Sequence, residues 1–442
     1  MANPGARAER EFDVVLFGAT GFVGRLIAAY LAEHAPADAR IALAGRDELR
    51  LEALRRQLPR GARDWAIVVA DSSEPTTLAS LAARTAVVAT TVGPYAMLGM
   101  PLVEACAMAG THYCDLTGEV LFVRESADSW HEIARESGAK IVHGCGFDAI
   151  PSDLGVFVTA DKVAADGEGE LTRTLLSVRS LKGGLSGGTI DSMRQQTIIA
   201  RTEPGAQSIL DDPYALSPDR AAEPPAPKPT PLPADLVGKA TAMWTKARKS
   251  LPVQRDPQTG RWTAPFVMAG YNTRIVRRSN ALLGWRYGRA FSYREVVDFG
   301  DSPKAPLMAT GMTAGLLGVT AGMSYATTRQ LLDRVLPKPG EGPSPERRAE
   351  GRFRMVITSR TTTGSHYVTR VGADYDPGYD GTAVMLGESA LALALDTDLP
   401  EMAGVLTPAT ALGMPLVERL RDHGFTFDCD RGLDASGVDA LE

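Results

Sequence analysis

Residues 12–24 read FDVVLFGATGFVG, an apolar run followed at once by a glycine-rich loop. The run predicts a buried strand, and the segment after the loop predicts a helix over Phe22–His34. Gly18 lets the chain turn sharply after the strand, Gly21 lets the backbone approach a pyrophosphate, and Gly24 lets the helix pack closely on the strand. The G-x-x-G-x-x-G pattern in this strand–loop–helix setting predicts a dinucleotide-binding loop whose first helical N–H groups face the phosphates. We predict that the cofactor contacts the whole loop: Gly18, Ala19, Thr20, Gly21, Phe22, Val23 and Gly24.

The end of the second predicted strand indicates which dinucleotide is bound. NAD sites usually place an acidic residue there to hold the ribose 2′-hydroxyl, whereas NADP sites avoid that charge and offer arginine. This chain has Arg46 at that position, and a guanidinium can hold a 2′-phosphate through two hydrogen bonds. Asp47 follows directly and blurs the signal, although it is also well placed to cap the next helix. The sequence therefore predicts NADP(H) as the cofactor.

Two later positions fit the same site. Asp71 follows the third predicted strand and is a candidate for hydrogen bonding to the adenine amine, although aspartate is common in such turns. Val92, Gly93 and Pro94 follow the fourth predicted strand, at the carboxyl edge where ligands sit in open parallel sheets. We predict that they form a stiff wall beside the nicotinamide.

Residues 10–155 alternate short apolar runs with helical patterns, which predicts an α/β fold with a Rossmann-type doubly wound parallel sheet. The predicted strands are Phe12–Phe17, Ile41–Ala44, Ile67–Ala70, Val87–Thr91 and Lys140–His143. Pro101 and Gly110 bound one of the later helices, and Gly138 follows the end of another.

Residues 156–378 lose this rhythm and predict an inserted α+β second domain for substrate binding or dimerisation, with a Pro-rich arm (217–235), a Gly-rich helix (305–328) and a mobile loop (337–350). The strand-like segments are Thr172–Ser180, Trp285–Phe299, Arg352–Ser359 and His366–Asp374, of which the last two predict an antiparallel hairpin. In residues 379–442 we predict helices that pack back on the first domain. One is capped by Thr382, and one begins at Thr407-Pro408 and runs to about Arg421.

Composition and charge exclude several classes of protein. The formal net charge of -6 argues against nucleic acid as the main partner. The first ten residues lack the apolar core of a signal peptide, and the four cysteines show neither paired nor metal-binding spacing. These features predict a cytoplasmic protein with reduced thiols and no metal site.

The Gly-rich helix carries no charge, and Gly311, Gly315, Gly318 and Gly322 fall on one helical face. Small residues at that spacing allow close helix packing. The segment therefore suits a buried helix, a homodimer contact or a peripheral contact with a membrane near an apolar substrate. A transmembrane span is less favoured, because the few leucines favour insertion by only about 2 kcal/mol.

Several motifs together resemble the saccharopine dehydrogenase-like oxidoreductases, and among them most closely the bacterial trans-acting enoyl reductases. The motifs are GATGFVG at 18–24, LAGR at 43–46, TVGPY at 91–95, YCDLTGE at 113–119, GCGFDAIPSD at 144–153, SGGT at 186–189, YGRAFSY at 287–293 and VLTPATALG at 405–413. They are spread over nearly the whole chain, and their combination is far more specific than any one of them.

The resemblance implies an NADP-dependent reductase that reduces a carbon–carbon double bond of a polyketide or fatty-acyl lipid intermediate. It also implies a hydrophobic, carrier-bound substrate supplied by a synthase that lacks its own reductase. The chain shows no recognition pattern for the amino-acid substrates of true saccharopine enzymes.

Enoyl reduction also needs a proton donor and a group that stabilises the enolate oxygen. The catalytic candidates at the carboxyl edge of the predicted sheet are Tyr95, Tyr113, Asp115 and Asp148, with Glu119 as a further acid. Each also has an ordinary structural interpretation, such as a core position or a helix cap.

Two other functions remain open from the sequence. One is a non-catalytic Rossmann-fold protein that binds a lipid surface or a partner through its Gly-rich helix. The other is an amino-acid dehydrogenase of the saccharopine type, which would oxidise a secondary amine. Turnover of an enoyl thioester distinguishes the reductase from both.

Overall fold

The computed structural model describes residues 10–183, 187–225, 253–256, 260–323 and 342–432. Seven parallel strands form the first sheet, in the order β13-β6-β5-β4-β1-β2-β3. The strands are β1 (Phe12–Phe17), β2 (Ile41–Gly45), β3 (Ala66–Val69), β4 (Thr85–Thr90), β5 (His112–Asp115), β6 (Lys140–Val142) and β13 (Gly404–Leu406). This is the predicted Rossmann-type sheet, with one further strand from the C-terminal part of the chain.

Helices connect the strands of the first sheet and cover both of its faces. They are α1 (Phe22–His34), α2 (Glu48–Gln57), α3 (Pro75–Ala83), α4 (Tyr95–Leu98), α5 (Met100–Ala109), α6 (Val120–Ser137) and α7 (Ile150–Ala165). Asp47 caps α2 by accepting a hydrogen bond from the Arg50 backbone N–H, as predicted. Gly110 and Gly138 end α5 and α6 in the left-handed conformation, which glycine adopts without strain.

A second sheet of seven strands has the order β14-β12-β11-β7-β10-β9-β8. Its strands are β7 (Leu171–Lys182), β8 (Gln254–Arg255), β9 (Trp262–Pro265), β10 (Ser292–Asp298), β11 (Arg352–Thr361), β12 (His366–Ala373) and β14 (Thr426–Arg431). β7 and β10 are parallel, and β11 and β12 form the predicted antiparallel hairpin. The observed strand β10 is shorter than the predicted Trp285–Phe299. Positive φ angles at Trp285 and Gly288 turn the chain before it becomes extended.

The remaining helices surround or join the two sheets. They are α8 (Gly187–Thr202), α9 (Ala206–Asp211), α10 (Ala269–Leu282), α11 (Ala305–Met323), α12 (Pro345–Ala349), α13 (Asp380–Leu395), α14 (Pro408–Ala411) and α15 (Gly413–Asp422). Helix α12 lies inside the segment predicted as a mobile loop, of which residues 337–341 are outside the described residues. Residues 226–235 of the Pro-rich arm and 324–328 of the Gly-rich helix also lie outside them.

The C-terminal part of the chain returns to the first sheet and then leaves it. Helix α13 packs against α1 and the strands β1, β4 and β5, and β13 pairs with β6. β14 instead joins the second sheet beside β12, so residues beyond 379 are not only helices that contact the first domain. The predicted boundary after residue 155 falls inside α7, which contacts strands of the second sheet.

Two predicted caps have different outcomes. Thr407 caps α14 in a reciprocal arrangement with Thr410, as its sequence predicts. Thr382 does not cap α13, because the helix already begins at Asp380 and the Thr382 hydroxyl donates to the Pro377 carbonyl at 2.8 Å. The predicted single helix from Thr407 is interrupted, since Gly413 has a positive φ of 55°.

Candidate functional site

The glycines of the loop between β1 and α1 leave room for the chain itself and for a ligand. Gly18 has a φ of 87°, and a Cβ there would lie 2.8 Å from side-chain atoms of both Thr91 and Val92. A Cβ on Gly24 would overlap the Gly18 carbonyl oxygen. Gly21 immediately precedes α1, whose first turn receives no side-chain cap. The loop therefore presents unshielded helix N–H groups in a glycine cradle, which fits the pyrophosphate of a dinucleotide.

Arg46 and Asp71 lie beside each other at the ends of neighbouring strands. Arg46 is exposed directly after β2, and Asp71 is partly buried after β3. The Ser73 backbone N–H and hydroxyl donate to Asp71 and hold the pKa of its carboxyl group below its usual range. The charge of Arg46 contributes further to this lowering. An arginine at this place fits the 2′-phosphate of NADP.

The segment after β4 is held in place by a buried carboxylate. Glu119 accepts hydrogen bonds from the Tyr95 and Ala96 backbone N–H groups, at 2.9 and 2.8 Å, and from the Ser192 hydroxyl at 2.6 Å. It is fully buried, and that burial raises its pKa. Glu119 therefore anchors the predicted wall of Val92, Gly93 and Pro94, a positioning role that the sequence did not distinguish from catalysis.

A cavity of about 970 Å³ extends from the glycine loop to the second sheet. On the loop side it is bordered by Gly21, Phe22, Val23, Gly24, Gly93 and Pro94. The opposite walls are largely apolar and include Phe147, Phe266, Met268, Val297, Met312 and Leu316. A ligand in this cavity would therefore touch the predicted cofactor site at one end and an apolar surface at the other.

Asp148 is the predicted acid that lines the cavity. It is half-buried in the segment between β6 and α7, and its carboxyl group lies next to Gly118. Burial raises the pKa of Asp148 to about 7, with a further contribution from the Asp115 carboxylate. Near neutral pH a substantial part of the protein therefore carries a protonated Asp148 that can give up its proton.

The other predicted catalytic residues are placed differently. Tyr95 lines the cavity with its ring, but its hydroxyl donates to the Thr90 carbonyl and accepts from the Leu116 backbone N–H. Tyr113 and Asp115 are fully buried and are not among the residues that line the cavity. Their assignment as catalytic residues stays a prediction, and neither side chain reaches the cavity as the structure stands.

Asp115 instead organises a buried polar network. Its carboxylate accepts from the Tyr113 hydroxyl at 2.9 Å and from the Gly144 backbone N–H at 2.9 Å. The His143 ring contacts the same carboxylate at 2.7 Å and the Ser126 hydroxyl at 2.8 Å. Because these contacts occupy the carboxylate, the network joins the ends of β5 and β6 rather than reaching a ligand.

Sequence reasoning missed a charged cluster on the second-sheet side. Asp298, at the end of β10, contacts Arg179 at 3.1 Å and the Arg261 Nε at 2.8 and 2.9 Å. All three residues border the cavity. In the sequence, each of the three is only a single charged residue in a strand-like or turn segment. The pairing of β7, β9 and β10 is what brings them together.

A cover over Phe22 was missed for the same reason. The Tyr379 ring meets the Phe22 ring edge-on at 5.2 Å, and the Arg348 guanidinium lies 5.7 Å from its centre. Gly342 contacts the ring directly, since a Cβ there would overlap it. These residues come from the chain before and after the β11–β12 hairpin, so they enclose the first helical residue of the glycine loop.

The Gly-rich helix α11 has one side towards the cavity. Met312, Gly315 and Leu316 border it, whereas Leu307 and Leu317 are exposed. None of the helices formed by the described residues has the length and hydropathy needed to span a membrane. Within the same residues, no cluster of His, Cys, Asp and Glu has a geometry suited to a metal ion.

Comparisons with known proteins agree with this geometry. Residues 14–142 match the family described as the saccharopine dehydrogenase NADP binding domain. The chain is 50% identical to a putative trans-acting enoyl reductase of Mycobacterium tuberculosis over 427 residues, which is 96% of this chain and 98% of that protein. It is 45% identical to a trans-acting enoyl reductase of Mycobacterium bovis over 429 residues, covering 96% and 99% of the two chains.

The whole fold also has a counterpart among solved structures. An apo saccharopine dehydrogenase (L-Glu forming) from Saccharomyces cerevisiae matches with a TM-score of 0.50 over 95% of this chain and 99% of its own. The sequence identity is 13%, so this likeness concerns the fold alone. It includes both the parallel sheet and the second, mixed sheet.

Proposed function

The chain belongs to the family of trans-acting enoyl reductases, and we propose that it reduces the carbon–carbon double bond of an enoyl thioester in the cavity beside its glycine loop. It is an NADP(H)-dependent oxidoreductase with a saccharopine dehydrogenase-type NADP-binding domain. The observation that carries the proposal is the shared cavity, which borders the glycine loop, Asp148 and an apolar wall at once.

The cavity suits a substrate with an acyl chain. Its volume of about 970 Å³ lies near the upper end of the range for small-molecule sites, which supports room for a nicotinamide and an apolar chain together. The apolar wall favours binding because it removes hydrocarbon from water. On the side of the second sheet, the charged residues that border the cavity, among those the structure describes, are Arg179, Arg261 and Asp298.

The proposed chemistry assigns one role to the cofactor and one to Asp148. Bound NADPH supplies the hydride that the β-carbon of the enoyl group accepts. Asp148 donates the proton that the α-carbon takes up, so the double bond becomes a single bond and the carboxylate is left ionised. The pKa of about 7 keeps enough of the protonated carboxyl group available at neutral pH.

The rest of the site positions the reactants and excludes water. Glu119 fixes the wall beside the nicotinamide position, because it holds the backbone at Tyr95 and Ala96. Phe22 and Tyr379 close the cavity over the loop. Such positioning lowers the barrier by holding the acceptor carbon close to the hydride donor.

The partner we propose is a synthase or carrier protein that holds the acyl or polyketide chain as a thioester. The names of the relatives support this, since a trans-acting reductase works on an intermediate held by another protein. We further propose that the described fold divides into the predicted NADP-binding and substrate regions, with the cavity between them.

The test is turnover of an α,β-unsaturated acyl thioester with NADPH by the native protein, Asp148→Asn and Asp191→Asn. We expect Asp148→Asn to lower kcat by about 10²- to 10³-fold while the NADPH Kd stays unchanged. Asp191→Asn is the matched control, because Asp191 also borders the cavity but is paired with Arg194 at 3.2 Å. NADPH binding without any thioester turnover would exclude the reductase, and oxidation of a secondary amine would favour the amino-acid dehydrogenase.

A further inference from the structure

Tyr271 carries a hydroxyl group that has no hydrogen-bond partner among the described residues. The side chain is 4% exposed, and its ring packs in the core that includes Tyr95 and Tyr113. A buried polar group without a partner is costly and rare in folded proteins. A hydroxyl retained in that state calls for a physical reason.

The hydroxyl occupies a space that a glycine leaves open. Gly144 has a φ of 73°, and a Cβ at that position would lie 2.7 Å from the Tyr271 hydroxyl oxygen. The Gly144 N–H donates to Asp115, so the hydroxyl lies beside the segment that begins at the Asp115 network. Four residues later the same segment reaches Asp148, which borders the cavity.

The carboxyl group of Asp148 is the candidate acceptor for the Tyr271 hydroxyl. This carboxyl group, which is half-buried and borders the cavity, accepts from the backbone N–H of Asp148 itself, and no side chain among the described residues donates to it. The charged or titratable groups around it are Asp115, Tyr95 and Tyr271. Burial raises the pKa of Tyr271 most, and the charges of both Asp115 and Asp148 raise it further. The raised pKa keeps the hydroxyl protonated as a donor. A Cβ on Gly144 would also lie 3.2 Å from the Ala149 side chain, so the hydroxyl lies close to the residue that follows Asp148.

We propose that Tyr271 is a positioning residue whose hydroxyl donates a hydrogen bond to the Asp148 carboxylate during the catalytic cycle. The contact needs one Asp148 carboxyl oxygen to turn towards the hydroxyl, and it would give the unpartnered hydroxyl an acceptor. The contact holds the carboxyl group towards the substrate and stabilises the ionised form left after proton transfer. This inference rests on the proposed function, in which Asp148 is the proton donor.

The first measurement is the pH profile of kcat/KM for the native protein and for Tyr271→Phe. The protonated acid is the active form, so activity falls as pH rises through the Asp148 pKa. Removing a donor to the ionised form raises that pKa, and we expect the falling limb of Tyr271→Phe to move up by about one pH unit. Tyr287→Phe is the matched control, because Tyr287 is equally buried, its hydroxyl also has no partner among the described residues, and Asp148 does not affect its pKa.

A second measurement does not depend on turnover. The folded pKa of Asp148, about 7, lies above its ordinary value of 3.8, so ionisation destabilises the folded state as pH rises through this range. The melting temperature of Asp148→Asn minus that of the native protein should therefore increase with pH and become constant above that pKa. In the Tyr271→Phe background the same difference should level off about one pH unit higher.

The outcomes separate this inference from the proposed function. The contact is overturned if Tyr271→Phe changes neither the pH of the falling limb of kcat/KM nor the pH at which the melting-temperature difference becomes constant. This holds even if the enzyme reduces enoyl thioesters. If the melting-temperature difference becomes constant at a higher pH in Tyr271→Phe, but the protein binds NADPH and turns over no enoyl thioester, the contact is supported and the proposed function is removed. Tyr271→Phe should not lower the melting temperature at pH 5, because it removes only an unpartnered hydroxyl. A shift of equal size in Tyr287→Phe would also overturn the assignment.

Discussion

Single residues of the candidate site divide into those that hold the backbone and those that are open to a ligand. Glu119 and Asp115 use their carboxylates on backbone and side-chain donors, and both are fully buried. No side chain among the described residues donates to Asp148, which borders the cavity, and Arg46 is exposed directly after β2. A buried carboxylate needs hydrogen-bond donors to be stable. A carboxylate that is fully hydrogen-bonded therefore indicates a structural role, whereas one that lacks such donors indicates a catalytic role.

The prediction at the scale of single residues concerns Arg46. Arg46→Ala should weaken NADPH binding by about 10- to 100-fold, because charge-assisted hydrogen bonds to the 2′-phosphate are lost. The NADH Kd should remain unchanged, since NADH lacks that phosphate. Fluorescence titration with both nucleotides measures this. Arg50→Ala is the control, because Arg50 is an exposed arginine one turn away in α2. Equal losses for NADPH and NADH would contradict the assignment.

Helix α11 shows how one element serves two environments. Met312 and Leu316 border the cavity, and Leu307 and Leu317, which are 76% and 53% exposed, face outward. The sequence shows an uncharged helix with a glycine stripe, and the structure places its larger side chains on both sides. Its cavity face therefore contributes to the volume available for an acyl chain.

The element-scale prediction concerns that volume. Met312→Trp should raise the KM for a long-chain enoyl thioester by about tenfold and leave that of a four-carbon substrate nearly unchanged, because the larger ring fills the apolar end. The NADPH Kd should not move. Leu317→Trp adds a similar side chain on the exposed side of the same helix and should change neither KM. An equal effect of both substitutions would indicate damage to the helix rather than occupation of the cavity.

At the scale of the whole molecule, the C-terminal return of the chain supports the cofactor helix. Glu388 of α13 is 1% exposed and accepts from the Tyr30 hydroxyl of α1 at 2.7 Å. Arg419 of α15 donates to the other Glu388 oxygen at 2.8 Å and also pairs with Asp396. This network joins α1 to two helices of the C-terminal part of the chain.

Arg419→Met should lower the free energy of unfolding by about 2–3 kcal/mol, because it leaves the Glu388 carboxylate buried without its cation. Urea unfolding measures the change. The double variant Arg419→Met with Glu388→Gln should recover part of the loss, since no buried charge remains. The comparison of single and double variants gives the coupling energy. A loss of the same size in the double variant would show that packing of the arginine stem, rather than charge, is responsible.

The sequence predicted those parts of the site that depend on residues close together along the chain. The glycine loop, the NADP cofactor, the α1 boundaries and the capping of α2 follow from local spacing and backbone geometry. It did not distinguish Asp148 from Asp115, since each is an acid at or after the end of a strand of the first sheet. Their difference arises from burial and hydrogen bonding across elements, which no local pattern records.

The sequence by itself determined the parallel sheet, its nucleotide loop and the family, because strand and helix periodicity and glycine requirements act over a few residues. Only the tertiary structure decided that β13 enters the first sheet, that β14 joins the second, and that the Arg179–Asp298–Arg261 cluster, Asp148 and α11 enclose one cavity. Those arrangements bring together residues separated by tens to hundreds of positions. Their contact energies depend on packing and burial in three dimensions rather than on spacing along the chain.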